Sequence, residues 1–114
     1  MKKDDKVFLQ HILDAMARIE QYLEGVSIEQ FMQNGLIQDG VVRQLEIIGE
    51  ASRNLSPDLC QSHPEVEWRQ IIGLRNRIAH AYFSIDLEII WEIVHRNLPM
   101  LKDKMKQILA EYRS

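Results

Sequence analysis

Apolar residues recur along this chain at the spacing of a helix, while strand-like alternation is missing. In "DDKVFLQHILDAMARIEQYLEG" the residues Phe8, Ile12, Ala15, Ile19 and Tyr22 form a stripe of helical period, with Gly25 placed to close it. "SIEQFMQNG" opens on Ser27 and carries Gln30 three residues later, a capping-box pattern that predicts a short helix closed at Gly35. Asp39 then precedes "GVVRQLEIIGEASRNL", in which Val41, Leu45, Ile48, Ser52 and Leu55 share one face. "SPDLCQSHPEVEW" predicts a loop with one helical turn after Pro57. A third long helix is predicted from about Glu65 into "GLRNRIAHAY", and a fourth after Asp86 through "LEIIWEIVHRNLPMLKDKMKQILAEY". Pro99 interrupts the fourth, and Asn97 is a cap candidate just before it, so the pattern predicts a kink or a restart there.

Four long helices joined by short connections predict an all-α fold, an up-and-down antiparallel four-helix bundle with additional short helices, as one domain over residues 1–114. Gly49 and Gly73 fall inside helical pattern, where each costs about 1 kcal/mol relative to Ala. Such glycines predict close backbone approach, between helices or across a dimer interface, against the alternative of tolerated surface positions.

Composition narrows the function classes. Hydrophobic residues at 46% and charged residues at 27% give an ordinary globular balance, which excludes a disordered chain. The formal net charge of −3 means that any contact with nucleic acid is local rather than a matter of bulk charge. Cys60 is the single cysteine, so neither an internal disulfide nor a Cys-based metal site is available. His11, His63 and His95 have no companion at metal-ligand spacing, and no metal or cofactor is expected. No apolar run approaches the roughly 20 residues that span a bilayer, and "MKKDDK" does not lead into a signal-peptide pattern. The expectation is a cytoplasmic protein with no membrane contact.

The densest chemistry lies in "GLRNRIAHAY", residues 73–82. Arginine stays charged and can grip a phosphate through two parallel hydrogen bonds; histidine titrates near neutrality and can accept or donate a proton. RNA carries its own nucleophile, the 2′-hydroxyl, beside each phosphate. Arg75 and His80 could therefore cleave RNA without a metal, His80 moving a proton and Arg75 neutralising charge on the phosphoryl oxygens. Spacing alone does not single this reading out. On a continuous helix the two residues lie about 140° apart, whereas Asn76 and His80, four apart, share a face. Either the helix unwinds near His80 or a second subunit completes the site.

"RNRIAHAY" resembles the Arg-x4-His-x-Tyr signature of HepT-type toxins, a branch of the HEPN superfamily of all-α ribonuclease domains. "VVRQLEIIGEASRNLS" is similar to the family's second long helix, and "IDLEIIWEIVHRNLPMLKDKM" to its final helices, including the Leu-Pro break. The resemblance implies a HEPN-like fold and a homodimeric, metal-independent endoribonuclease, with the two motifs facing one another across a cleft. By position it makes Arg75 and His80 catalytic, with Asn76 the polar residue after the arginine. It also implies a partner, a minimal nucleotidyltransferase antitoxin that uses ATP to transfer AMP to Tyr82. The chain itself then needs no cofactor.

Other residues keep two readings. Tyr82 is either that modification target, which the resemblance favours, or a core aromatic whose hydroxyl reaches the surface. Arg43, Glu46 and Glu50 share one polar face, either solvated with an internal ion pair or bordering the cleft, with Arg43 on phosphate and Glu46 ordering an arginine. Arg77 is an RNA contact or a surface charge. Trp68 and Trp91 read as core residues rather than stacking platforms. The competing function is a non-catalytic helical partner of the nucleotidyltransferase, which has no need for Arg75, His80 and Tyr82 together.

Overall fold

Each regular element in the computed structural model is helical among the described residues, which are 3–74, 76–78 and 86–113, with side chains for 4–74, 76–78 and 86–112. The elements are α1 (Lys3–Leu23), α2 (Ile28–Gln33), α3 (Gly35–Arg53), α4 (Pro57–Ser62), α5 (Trp68–Ile72), α6 (Leu87–Glu92), a π-helical turn (Ile93–Asn97) and α7 (Leu98–Arg113). Helical backbone is also found at Leu74 and over 76–78. The fold is all-α and HEPN-like.

Contacts between distant residues set the helix directions. Tyr22, late in α1, lies against Gly40, early in α3, while Asp5 at the start of α1 bonds Ser56 just beyond the end of α3. The two helices are therefore antiparallel. Lys102 of α7 reaches Glu20 of α1, and Tyr112 senses the charge of Asp5, so α7 also runs antiparallel to α1. Lys104 donates to the carbonyl of Glu65, whereas Arg77 shares a groove with Ile93 and Asn97, which sets the 65–78 segment antiparallel to α6 and α7. This is the up-and-down order that the short connections predicted.

The core follows the helical stripes. Leu9, Ile12, Met16 and Ile19 of α1 meet Val41, Leu45 and Ile48 of α3, all at 1% exposure or less. Burying each such side chain is worth about 1.5–3 kcal/mol, so this interface dominates cohesion. Phe8 and Tyr22 sit at its margins, half-buried, and the true centre of the α1 stripe is shifted toward Leu9 and Met16. Ser52 is buried within the α3 stripe because its hydroxyl donates back to the carbonyl of Ile48 at 2.8 Å. Trp68 and Trp91 pack against the core; the indole N–H of Trp68 donates to the carbonyl of His63, and Trp91 stacks between Phe31 and His95.

Several boundaries differ from expectation. The helix predicted after Asp39 starts at Gly35, because Asn34 Oδ1 accepts from the amide of Ile37 and caps α3 directly after closing α2. The third long helix starts at Trp68 rather than Glu65, since residues 63–67 form turns bonded from Val66 to His63 and from Trp68 to Val66. It is also interrupted at Gly73. No capped restart occurs at Asn97: the helix passes through the π turn, in which Leu98 N–H bonds the carbonyl of Ile93, five residues back. The widened turn accommodates Pro99, which has no N–H to give. The short helix predicted to close at Gly35 closes one residue earlier, at Asn34, while Gly25 adopts φ +71° beyond α1, Ser27 and Gln30 form the capping box, and a helical turn follows Pro57, capped by Ser56.

Candidate nucleic-acid interface

Arg75, His80 and Tyr82 lie outside the described residues, as does the question of whether the helix unwinds near His80. The flank of that motif is described. Arg69, Ile72, Gly73 and Asn76 stand at i, i+3, i+4 and i+7, so one helical face carries all four. That face looks onto Gly49, Glu50 and Arg53 of α3, and the seven residues line a concavity of about 540 Å³.

Gly49 and Gly73 set how closely the backbone packs beside the concavity. A Cβ on Gly49 would stand 3.2 Å from the carbonyl oxygen of Ile71 and 3.7 Å from that of Ile72, so glycine lets α3 touch the backbone of α5. A Cβ on Gly73 would stand 3.1 Å from the carbonyl oxygen of Arg69, which accepts the Gly73 N–H at 2.9 Å. The expectation of close backbone approach holds at Gly49, between helices of one chain. Arg53 and Arg69 both line the concavity, and among the described residues neither is in an ion pair.

The predicted supporting residues divide among three places. Asn76 is exposed and lines this concavity. Arg43 and Glu46 line an adjoining recess of about 320 Å³ with Phe8, His11 and Asn54, and Glu50 borders both spaces. No ion pair joins Arg43 to Glu46 or Glu50 among the described residues; Arg43 and Glu50 are exposed, and all three residues edge a recess. Arg77 is not with Asn76. About 100° further round the helix, it lines a separate groove against α7 with Leu74, Asn97 and Lys104.

Sequence reasoning missed Arg53 and Arg69. The signal was present: each arginine stands four residues from an interior glycine, Gly49 before Arg53 and Gly73 after Arg69, which puts charge beside a bare patch of backbone. Of the isolated histidines, His63 bridges Glu65 and Glu111 at 3.3 Å each, and His95 Nδ1 lies 2.9 Å from the carbonyl of Trp91. Backbone and His63 hydrogen bonds hold the Glu65 carboxyl below its usual range. Among the described residues no three His, Cys, Asp or Glu side chains are grouped to hold a metal ion, and no helix is long and apolar enough to cross a membrane.

The fold is an all-α bundle, and the concavity lies along the 69–76 face, which leads in sequence into the Arg-x4-His segment. The comparisons give the family. The model of the "Ribonuclease HepT-like" family matches residues 12–108. The "Probable ribonuclease HepT" of Thermococcus cleftensis is 37% identical over 108 residues, covering 95% of this chain and 98% of its own. "Putative RNase MJ1380" of Methanocaldococcus jannaschii is 37% identical over 105 residues, covering 92% of this chain and 96% of its own. A two-part protein of the same organism, "Gamma-glutamylcyclotransferase and putative RNase MJ0434", is 34% identical across 97% of this chain but only 50% of its own length. No solved structure matches the chain. The chain belongs to the HepT-like ribonuclease family.

Proposed function

We propose that this protein is a metal-independent endoribonuclease, the toxin of a toxin–antitoxin pair whose antitoxin is a minimal nucleotidyltransferase. The observation that carries the reading is family membership over nearly the full chain, with Arg75, His80 and Tyr82 all present in the motif segment.

In the proposed reaction a neutral His80 takes the proton of the 2′-hydroxyl as the O2′–P bond forms. The P–O5′ bond breaks, leaving a 2′,3′-cyclic phosphate, and a protonated imidazole returns a proton to the departing 5′ oxygen. A homodimer supplies a second His80, so one ring accepts while the other donates. Arg75 neutralises the charge that grows on the non-bridging oxygens, and Asn76 orients substrate or imidazole. Silencing proceeds at Tyr82: its phenolic oxygen attacks the α-phosphorus of ATP held by the transferase, releasing pyrophosphate and a proton. The attached AMP adds bulk and a negative charge two residues from His80, where an RNA phosphate must sit.

The test is induction of wild type, His80→Ala and Arg75→Ala, followed by incubation of each purified protein with RNA in EDTA. Growth arrest and RNA cleavage by wild type alone, unaffected by chelator, is the expected result. Equal harmlessness of all three, with no AMP on Tyr82 by intact mass, would overturn the reading in favour of a non-catalytic partner of the transferase.

A further inference from the structure

Arg53 and Arg69 line one concavity from different helices, and Glu50 is the only carboxylate among the described residues that line it. Three other cations are engaged within the protein: Arg96 pairs with Glu92 at 3.3 Å, Lys102 with Glu20 at 2.7 Å, and Lys104 donates to the Glu65 carbonyl at 2.8 Å. Arg53 and Arg69 are exposed and, among the described residues, in no ion pair. Against them stands a single carboxylate, Glu50, so the lining is net positive in a chain whose overall charge is −3. Local cation excess on an acidic protein selects an anion, and two planar guanidinium forks fit the non-bridging oxygens of a phosphodiester.

We propose that Arg53 and Arg69 form a phosphate-binding subsite for a single-stranded RNA backbone in the concavity between α3 and the 69–76 face. The subsite rests on the ribonuclease reading and extends it to residues outside the Arg75–Tyr82 motif. Asn76, at one end of the same face, directly follows Arg75 in sequence, so the subsite lies on the segment that leads into the motif. Glycine at 49 lets α3 and α5 meet at the base of the concavity, and exposed Ile72 offers apolar surface to a ribose. Glu50 disfavours a second anion in the same space and limits the subsite to one phosphate. Arg53 and Arg69 are positioning residues: they fix the strand and exchange no proton.

The experiment uses a 2′-O-methyl oligoribonucleotide, which keeps the phosphates but lacks the 2′-hydroxyl nucleophile, so binding is read apart from cleavage. Arg53→Gln and Arg69→Gln are each expected to weaken its Kd by about tenfold and to lower the slope of log affinity against log salt by about 0.7. Arg53→Lys and Arg69→Lys should restore the slope but not the full affinity, because an ammonium lacks the two-pronged grip. On cleavable RNA the Gln variants should raise KM and leave kcat within about twofold. Arg96→Gln, already paired to Glu92, is the control for general loss of positive charge.

Slopes and affinities of the Gln variants equal to those of Arg96→Gln would overturn the subsite, even where wild type cleaves RNA and the ribonuclease reading stands. Binding that depends on Arg53 and Arg69 without any cleavage by wild type would keep the subsite and sink the ribonuclease reading. A wild type that fails to bind the oligonucleotide at all would overturn the subsite.

Discussion

Asp5 is 1% exposed, and its two carboxylate oxygens accept from one residue, the backbone N–H of Ser56 at 2.9 Å and its hydroxyl at 2.6 Å. Ser56 Oγ in turn accepts from the amide of Leu59, so a buried acid near the start of α1 fixes the N-terminal cap of α4. A fixed charge at this depth reaches its neighbours. Burial first, and then the charge of Asp5, push the Cys60 thiol above its ordinary 9.0. Burial, then Asp5, Glu111 and Cys60, likewise raise the Tyr112 hydroxyl above its ordinary 10.0. Both groups are neutral when protonated, so the folded state holds these protons more tightly than the unfolded chain does. Their contribution to stability is complete below the ordinary values and is lost as pH rises toward the folded ones. Urea midpoints from about pH 8 to about pH 11 should therefore hold until near pH 9 and then fall. Cys60→Ala should make the fall begin later and run shallower; a profile identical to wild type would show that the buried thiol contributes nothing at alkaline pH.

At the scale of elements, the α3–α5 contact links stability to the site. Gly49→Val would set side-chain atoms against the backbone carbonyls of Ile71 and Ile72, which cannot rotate away as a flexible side chain could. The expected cost is about 1–3 kcal/mol, read as a lower urea midpoint, with a larger proportional loss of RNA cleavage because the 69–76 face is pushed off α3. Unchanged stability would mean that α5 shifts freely and that the glycine is not needed for packing. The same contact shows what was legible beforehand. Helical periodicity carried the all-α order, since each apolar stripe is a local property of its helix, and the capping box at Ser27 was readable because both partners lie within four residues. The start of α3 was not: Asn34 and Asp39 are both good caps, and the choice rests on the Asn34 side chain meeting Ile37 N–H while Gln38 bonds the carbonyl of Phe31. The π turn before Pro99 was hidden because a proline signals a broken hydrogen bond but not how the helix absorbs it. Among site residues, Asn76 is placed beside the arginine-lined concavity, and Arg43 and Glu46 adjoin it through Glu50. Arg77 is carried round to α7 by one step of the helix, and Arg53 and Arg69 escaped notice because they line one space from two separate helices.

For the whole molecule, the acidic balance and the proposed chemistry lead to the same requirement. In-line displacement sets the attacking 2′ oxygen and the departing 5′ oxygen on opposite sides of phosphorus, so one imidazole cannot serve both at once. A chain of net charge −3 also gathers positive potential more effectively when its cationic patch is doubled about a two-fold axis. The proposed homodimer would meet both conditions, and it makes activity depend on concentration in a defined way. Above the dissociation constant of the dimer, the cleavage rate should rise in proportion to total protein; below it, the rate should rise with the square, because active species form by association. Sedimentation velocity should find a mass of twice 13.4 kDa in the first regime and of one chain in the second, with the change at the concentration where the kinetic order changes. A mixture of wild type with excess His80→Ala, equilibrated before assay, should lose more activity than dilution accounts for, since each mixed dimer lacks one of the two imidazoles. Cleavage that stays first order through the range where only monomer sediments would overturn the two-imidazole arrangement, and His80 would then have to both take and return the proton within a single chain.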